Sequence, residues 1–132
     1  PYFRTNIAEF WRHWHISLYK WLVDYVFIPM GGSRVPGFAV YRNILVVMFV
    51  SGVWHGAGLN YVVWGLLHGL FLCVHRAWSR WVNVPGDETT APALVRRLAC
   101  WVLTYGVVNL SWAFFAMDLP TAALFYRRLF LG

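Results

Sequence analysis

The sequence predicts an all-α integral membrane protein: a multi-span helical bundle with an amphipathic interfacial helix and a loop broken by glycine and proline. Two observations predict it. The 132 residues are 60% hydrophobic and 20% aromatic but only 12% charged, whereas average chains are about 45–50% apolar and about 25% charged. Residues 56–75 and 98–117 contain no Asp, Glu, Lys or Arg, and each has the length of about 20 residues that crosses a bilayer as a helix. The composition excludes a disordered chain and argues against a water-soluble monomer.

Residues 7–25 carry the amphipathic helix. Ile7, Trp11, Trp14, Leu18, Trp21, Leu22 and Tyr25 fall on about one third of a helical wheel, while Glu9, Arg12, His13, Ser17, Lys20 and Asp24 occupy the opposite face. Asn6, with Glu9 three residues on, supplies a cap for its start. The polar face carries too many charges to span, so a basic, Trp-rich helix lying at the bilayer interface is expected. Residues 26–37 follow as the broken loop, interrupted by Pro29, Gly31, Gly32, Pro36 and Gly37. At membrane depth such a loop must be covered by protein.

Residues 38–54 form a first apolar helix, short for a full crossing, and 56–75 a second. A polar loop, 76–97, holds Pro85, Gly86, Asp87, Glu88 and Pro92 together with Arg76, Arg80, Arg96 and Arg97. A third membrane helix, 98–117, leads to a tail from Asp118 with Arg127 and Arg128. The bias of arginine toward 76–97 predicts that this loop faces the cytoplasm. The net charge of +6 comes in pairs flanking apolar runs, which reads as juxtamembrane and not as a nucleic-acid surface. Cys73 and Cys100 sit in apolar runs without metal spacing. The chain starts at Pro1 inside patterned sequence, with no signal peptide, and reads as the C-terminal part of a longer transmembrane domain.

Five histidines in so apolar a chain need an account, since a polar group away from water must be paired or used. His55 lies at the junction of two apolar segments beside Gly56 and Gly58. There an imidazole can take a proton from a hydroxyl and return it, or be a satisfied structural group. His15 is either a second site residue or a hydrogen-bonded anchor. His13 falls on the charged face, and His75 marks a membrane boundary beside Arg76. His68 shares a face with His55 only if Gly56 or Gly58 breaks the helix. Trp54, Asn60 and Trp64 can line a cavity or simply pack. His13 and His15 point apart on a helix, so no shared metal is expected. The chain has no nucleophile elbow, phosphate-binding loop, zinc-protease motif or paired carboxylates. A histidine-only site points to acyl or proton transfer.

The strings Asn6-Ile7-Ala8-Glu9-Phe10-Trp11-Arg12-His13-Trp14-His15-Ile16-Ser17, Trp21-Leu22-Val23-Asp24-Tyr25, Ile28-Pro29-Met30-Gly31-Gly32-Ser33-Arg34, Gly52-Val53-Trp54-His55-Gly56-Ala57 and Trp64-Gly65-Leu66-Leu67-His68-Gly69 closely resemble the membrane-bound O-acyltransferase (MBOAT) family. Their order and spacing match as well. Within that family the chain looks most like the bacterial branch containing the membrane subunit of alginate O-acetylation and the membrane component of teichoic-acid D-alanylation. The match is strong over residues 1–76 and weaker at Ser111-Trp112-Ala113-Phe114-Phe115. Relatives usually carry Arg where His13 stands, Leu at Met30 and Arg at Ala116.

The resemblance implies a partial MBOAT fold with His55 as the catalytic histidine and His15 as a second functional one; Trp54, Asn60, Trp64 and His68 remain cavity candidates on the reading of the residues themselves. It implies no bound cofactor and no metal. Its expected partners are the bilayer, an acyl donor such as acetyl-CoA or an acyl carrier, and a cell-envelope polysaccharide or a periplasmic acyltransferase, in the bacterial inner membrane. The expected reaction is O-acyl transfer, most simply of acetyl, to polysaccharide hydroxyls. D-alanyl transfer to teichoic acid, relay of the acyl group to a separate transferase, and a transporter fragment using histidines as a proton path are the competing readings.

Overall fold

The computed structural model of the chain describes residues 2–81 and 91–132. Its elements are α1 (Ile7–His13), α2 (Ile16–Leu22), a π-helical turn (Val23–Phe27), α3 (Ala39–His55), α4 (Leu59–Trp81), α5 (Ala91–Ala116) and α6 (Leu119–Leu131). Among the described residues there is no strand.

The Asn6 side chain accepts the Glu9 backbone N–H at 2.9 Å and starts α1 as the sequence suggests. The helix expected over 7–25 is nevertheless broken. Trp14 turns to an extended conformation, and His15 takes φ 51° and ψ 48°. It is the one non-glycine with positive φ among the described residues. Histidine is among the few side chains enriched in this left-handed region. A one-residue reversal hardly disturbs the spacing of apolar positions, so periodicity cannot see it. Ile7, Phe10 and Trp11 of α1 and Leu18 and Leu22 of α2 are buried, whereas Trp21 and Tyr25 of the expected stripe are exposed.

The loop after the π-helical turn bends through Gly31, Gly32 and Gly37, at φ 92°, 56° and 59°. Asn43, fully buried on α3, holds it by donating from Nδ2 to the carbonyls of Met30 at 3.0 Å and Gly32 at 3.1 Å. Buried loop carbonyls need such partners, and a side-chain amide can serve two at once.

Helices α3 and α4 form a tight hairpin. Gly56 turns the chain where a Cβ would come within 2.6 Å of the Tyr61 ring. Along the seam a Cβ on Gly65 would meet the Met48 carbonyl oxygen and would lie 3.1 Å from the Gly52 Cα. Gly65 and Gly69, four residues apart on α4, thus let the two backbones approach as small residues do in membrane helix pairs. Helix α4 continues to Trp81, past the expected end at 75, and α5 begins at Ala91, before the expected 98. Arginine is a good helix former, so Arg76, Arg80, Arg96 and Arg97 end the apolar runs without ending the helices. Positions 82–90 of the expected polar loop lie outside the described residues.

Among the described residues one helix, Ala93–Ala116, is long and apolar enough to cross a membrane, and Ala39–His55 is a shorter apolar helix. Helix α6 occupies what the sequence suggested only as a tail. Asp118 accepts the Thr121 backbone N–H at 3.0 Å, and proline stands in the first turn, a common helix start. Tyr126 donates its hydroxyl to the Leu110 carbonyl, fastening α6 back onto α5. The core unites α1, α3, α4 and α5 through Ile7, Phe10, Trp11, Met48, Trp64 and Val108.

Candidate active site

Two breaks in the backbone build the site. The reversal at His15 turns its ring out of α1, and the turn at Gly56 places His55 at the end of α3, opposite the start of α4. The His15 and His55 ring centroids lie 5.8 Å apart. His55 is enclosed by aromatic rings, with centroid distances of 5.0 Å to Trp54, 5.3 Å to Trp64, 5.0 Å to Phe115 and 6.3 Å to Trp14. His15 closes the outer side against Trp54 at 5.7 Å and is itself exposed. The Nε2 atom of His55 is buried without a hydrogen-bond partner. Such atoms are rare in folded proteins, and each calls for an explanation, of which a catalytic role is one.

His68 is a different histidine. It is 1% exposed, and both of its ring nitrogens are engaged. The Trp11 indole Nε1–H donates to Nδ1 at 3.3 Å, while Nε2 lies 2.7 Å from the Ser111 hydroxyl. Ser111 in turn donates to the Val108 carbonyl at 2.6 Å. An indole N–H can only donate, so Nδ1 must be bare and Nε2 must carry the proton given to Ser111. Donors and acceptors balance from Trp11 through to Val108, and no lone pair of His68 is left to take a proton from a substrate. His68 therefore clamps α1, α4 and α5 together behind Trp64, whose ring centroid is 4.8 Å from its own.

The remaining expectations fall as follows. Trp64 is buried and central, touching both His55 and His68. Trp54 is 57% exposed at the rim, and Asn60 is half-buried with its side chain over Gly58. His13 is exposed, with Nδ1 2.8 Å from the Glu9 carbonyl. A cavity of about 440 Å³ lies elsewhere, between α1, α2, α3 and the end of α4; Trp11 lines it, and none of His15, Trp54, His55, Asn60, Trp64 or His68 does. Sequence reasoning missed Ser111 as the partner of His68, and Phe115 and Trp14 as walls around His55. The aromatic run at 112–115 was the available signal for Phe115. Among the described residues no group of three or more His, Cys, Asp or Glu is placed to hold a metal.

An imidazole whose Nε2 has no partner, boxed by aromatic rings on a helical, apolar scaffold among the described residues, is an arrangement able to take up a proton. The chain belongs to the membrane-bound O-acyltransferase family, whose sequence profile matches residues 3–115. It is 44% identical over 123 residues to a peptidoglycan O-acetyltransferase of Helicobacter pylori, covering 92% of this chain and 22% of that protein. It is 41% identical over 131 residues to a Pseudomonas aeruginosa protein named "Probable alginate O-acetylase AlgI", covering 98% and 24%. It is 30% identical over 88 residues to a teichoic acid D-alanyltransferase of Bacillus subtilis, covering 61% and 22%. The chain therefore spans about a quarter of the length of these relatives.

Proposed function

We propose that the protein containing this chain is an integral-membrane O-acyltransferase that moves an acyl group, acetyl in the leading form, toward hydroxyls of a cell-envelope polysaccharide. The observation that carries the proposal is the unpartnered Nε2 of His55 inside its aromatic box. The acceptor oxygen forms a bond to the acyl carbon, and its proton passes to Nε2. The imidazolium then returns that proton to the leaving group of a thioester donor, such as acetyl-CoA or an acyl carrier. His15, facing His55 from the outer side, positions the acceptor hydroxyl. General-base assistance of this kind contributes about 10²–10⁴-fold in rate.

On this reading residues 7–25, although broken at His15, lie at the interface of a bacterial inner membrane. Helices α3, α4 and α5 cross it, and residues 76–97 face the cytoplasm. Exposed Trp78 and Trp81 beside Arg76 and Arg80 are the residue types that collect at headgroup level. The acceptor is the polysaccharide itself or a periplasmic acyltransferase that receives the acyl group in relay. The two O-acetyl relatives, matched over nearly the whole chain, favour acetyl over D-alanyl cargo, since the D-alanyltransferase match covers less of it. The test is acyl analysis of envelope polymers from cells with and without the full-length gene. Loss of O-acetyl groups with D-alanyl ester content unchanged is expected, and unchanged O-acetyl content would sink the proposal.

A further inference from the structure

Two buried polar atoms in the box have no partner, an indole N–H that can only donate and an imidazole nitrogen that accepts when the ring proton sits on Nδ1. One is Nε2 of His55 and the other is the indole Nε1–H of Trp64. The two rings stand edge to face with centroids 5.3 Å apart, yet neither atom satisfies the other. Other tryptophans show that the fold can supply an indole with an acceptor. Trp11 donates to His68, and Trp101 donates to the Tyr2 carbonyl at 2.7 Å. Trp64 is as buried as Trp11, at 1% against 2% exposure, and its N–H alone is left over. A buried donor without an acceptor is destabilising, and an indole nitrogen can do nothing but donate.

We propose that Trp64 is a catalytic residue whose N–H stabilises the oxyanion formed during acyl transfer. The inference rests on the acyl-transfer reading above and deepens it. As the acceptor oxygen bonds to the acyl carbon, the carbonyl π pair moves onto the acyl oxygen. That oxygen becomes an anion needing donors at the moment the hydroxyl proton needs an acceptor. His55 Nε2 supplies the acceptor and Trp64 Nε1–H the donor. When the pair returns from oxygen to carbon, the thiolate leaves and takes the proton from the imidazolium, so charge and protons balance with only a hydroxyl and an acyl thioester consumed. A donor on a ring packed against Trp14, Trp112 and Phe115 is held before the reaction, with no reorganisation to undergo and little water to compete with. Trp11 and His68 of the clamp pack against the Trp64 ring, with centroids 5.7 and 4.8 Å away, and hold its orientation.

The test uses the full-length protein in membranes, with an acetyl thioester as donor. Trp64→Phe keeps a ring and deletes the donor. Replacement of Trp64 by benzothienylalanine, with sulfur in place of N–H in a ring of the same shape, repeats the deletion without loss of packing. Both are expected to lower kcat by about 10²–10³-fold, the loss seen when one oxyanion donor is removed, with KM for the donor little changed. The benzothienylalanine protein should be at least as heat-stable as wild type, because the removed group was unsatisfied. Wild-type kcat in that protein, or a kcat loss matched by a loss of folded protein, would overturn the proposal. If His55→Ala alone is inactive while the Trp64 replacements are active, the oxyanion role fails and the acyl-transfer reading stands. If wild type transfers no acyl group, both fail.

Discussion

Trp11 and His68, 57 positions apart in sequence, meet where the indole N–H of one donates to Nδ1 of the other at 3.3 Å. That single donor determines the protonation of His68 and hence the direction of the hydrogen bond to Ser111. Two histidines thirteen residues apart are thereby given different chemistry. His68 is saturated and structural, whereas His55 has a free nitrogen.

The clamp predicts an asymmetry between stability and activity. Ser111→Ala leaves the His68 N–H buried without an acceptor and is expected to cost about 1–3 kcal/mol. Activity per folded molecule should fall far less than with His55 variants. Thermal denaturation of the full-length protein in detergent, paired with turnover normalised to folded protein, measures both. A Ser111→Ala protein of wild-type stability would show that the clamp contributes nothing.

The hairpin seam gives a second prediction. Gly65→Ala drives a methyl group into the Met48 carbonyl and Gly52, all backbone, and overpacking of this kind costs about 1–3 kcal/mol. Gly69→Ala meets side-chain atoms of Leu45 and Met48 at 3.1 Å, which can shift by tenths of an ångström. Thermal melts of the two variants should therefore rank Gly65→Ala as the more damaging, and the reverse order would contradict the seam described here.

Asp118 gives the third. Its hydrogen bonds with Thr121 hold the carboxyl below its ordinary value. A carboxylate whose folded pKa is depressed adds stability above the unfolded value of about 3.9, and that contribution is lost as pH falls through the lower folded value. The first turn of α6 should fray over that acidic window. Asn caps as well as Asp without titrating, so in Asp118→Asn the fraying should disappear. A carbon-13 titration of the Asp118 carboxyl with its midpoint at or above the ordinary value would refute this.

The backbone around His55 and the start of α1 were legible because their signals are local. Gly56 beside His55 signalled a break, and with the chain turned there both His55 and His68 pack against Trp64. Asn6 with Glu9 marked the start of α1. The break at His15 was not legible, because a single left-handed residue leaves Trp11, Trp14 and Leu18 at nearly helical spacing. Neither was the state of His68, which depends on Trp11 and Ser111, partners 57 and 43 positions away in sequence. Helices α4 and α5 extend beyond the apolar runs at 56–75 and 98–117, because arginine ends an apolar run yet continues a helix. Helix α6 carried its own signal in Asp118 and Pro120.

The most direct measurement compares acyl transfer by full-length His55→Ala, His15→Ala and His13→Ala proteins in membranes at matched abundance. With His55 as the base, His55→Ala should fold and insert normally yet lose about 10²–10⁴-fold in rate. His15→Ala should be strongly impaired, and His13→Ala, whose ring is exposed beside the Glu9 carbonyl, only mildly. A His55→Ala protein that transfers acyl groups at the wild-type rate would contradict the account.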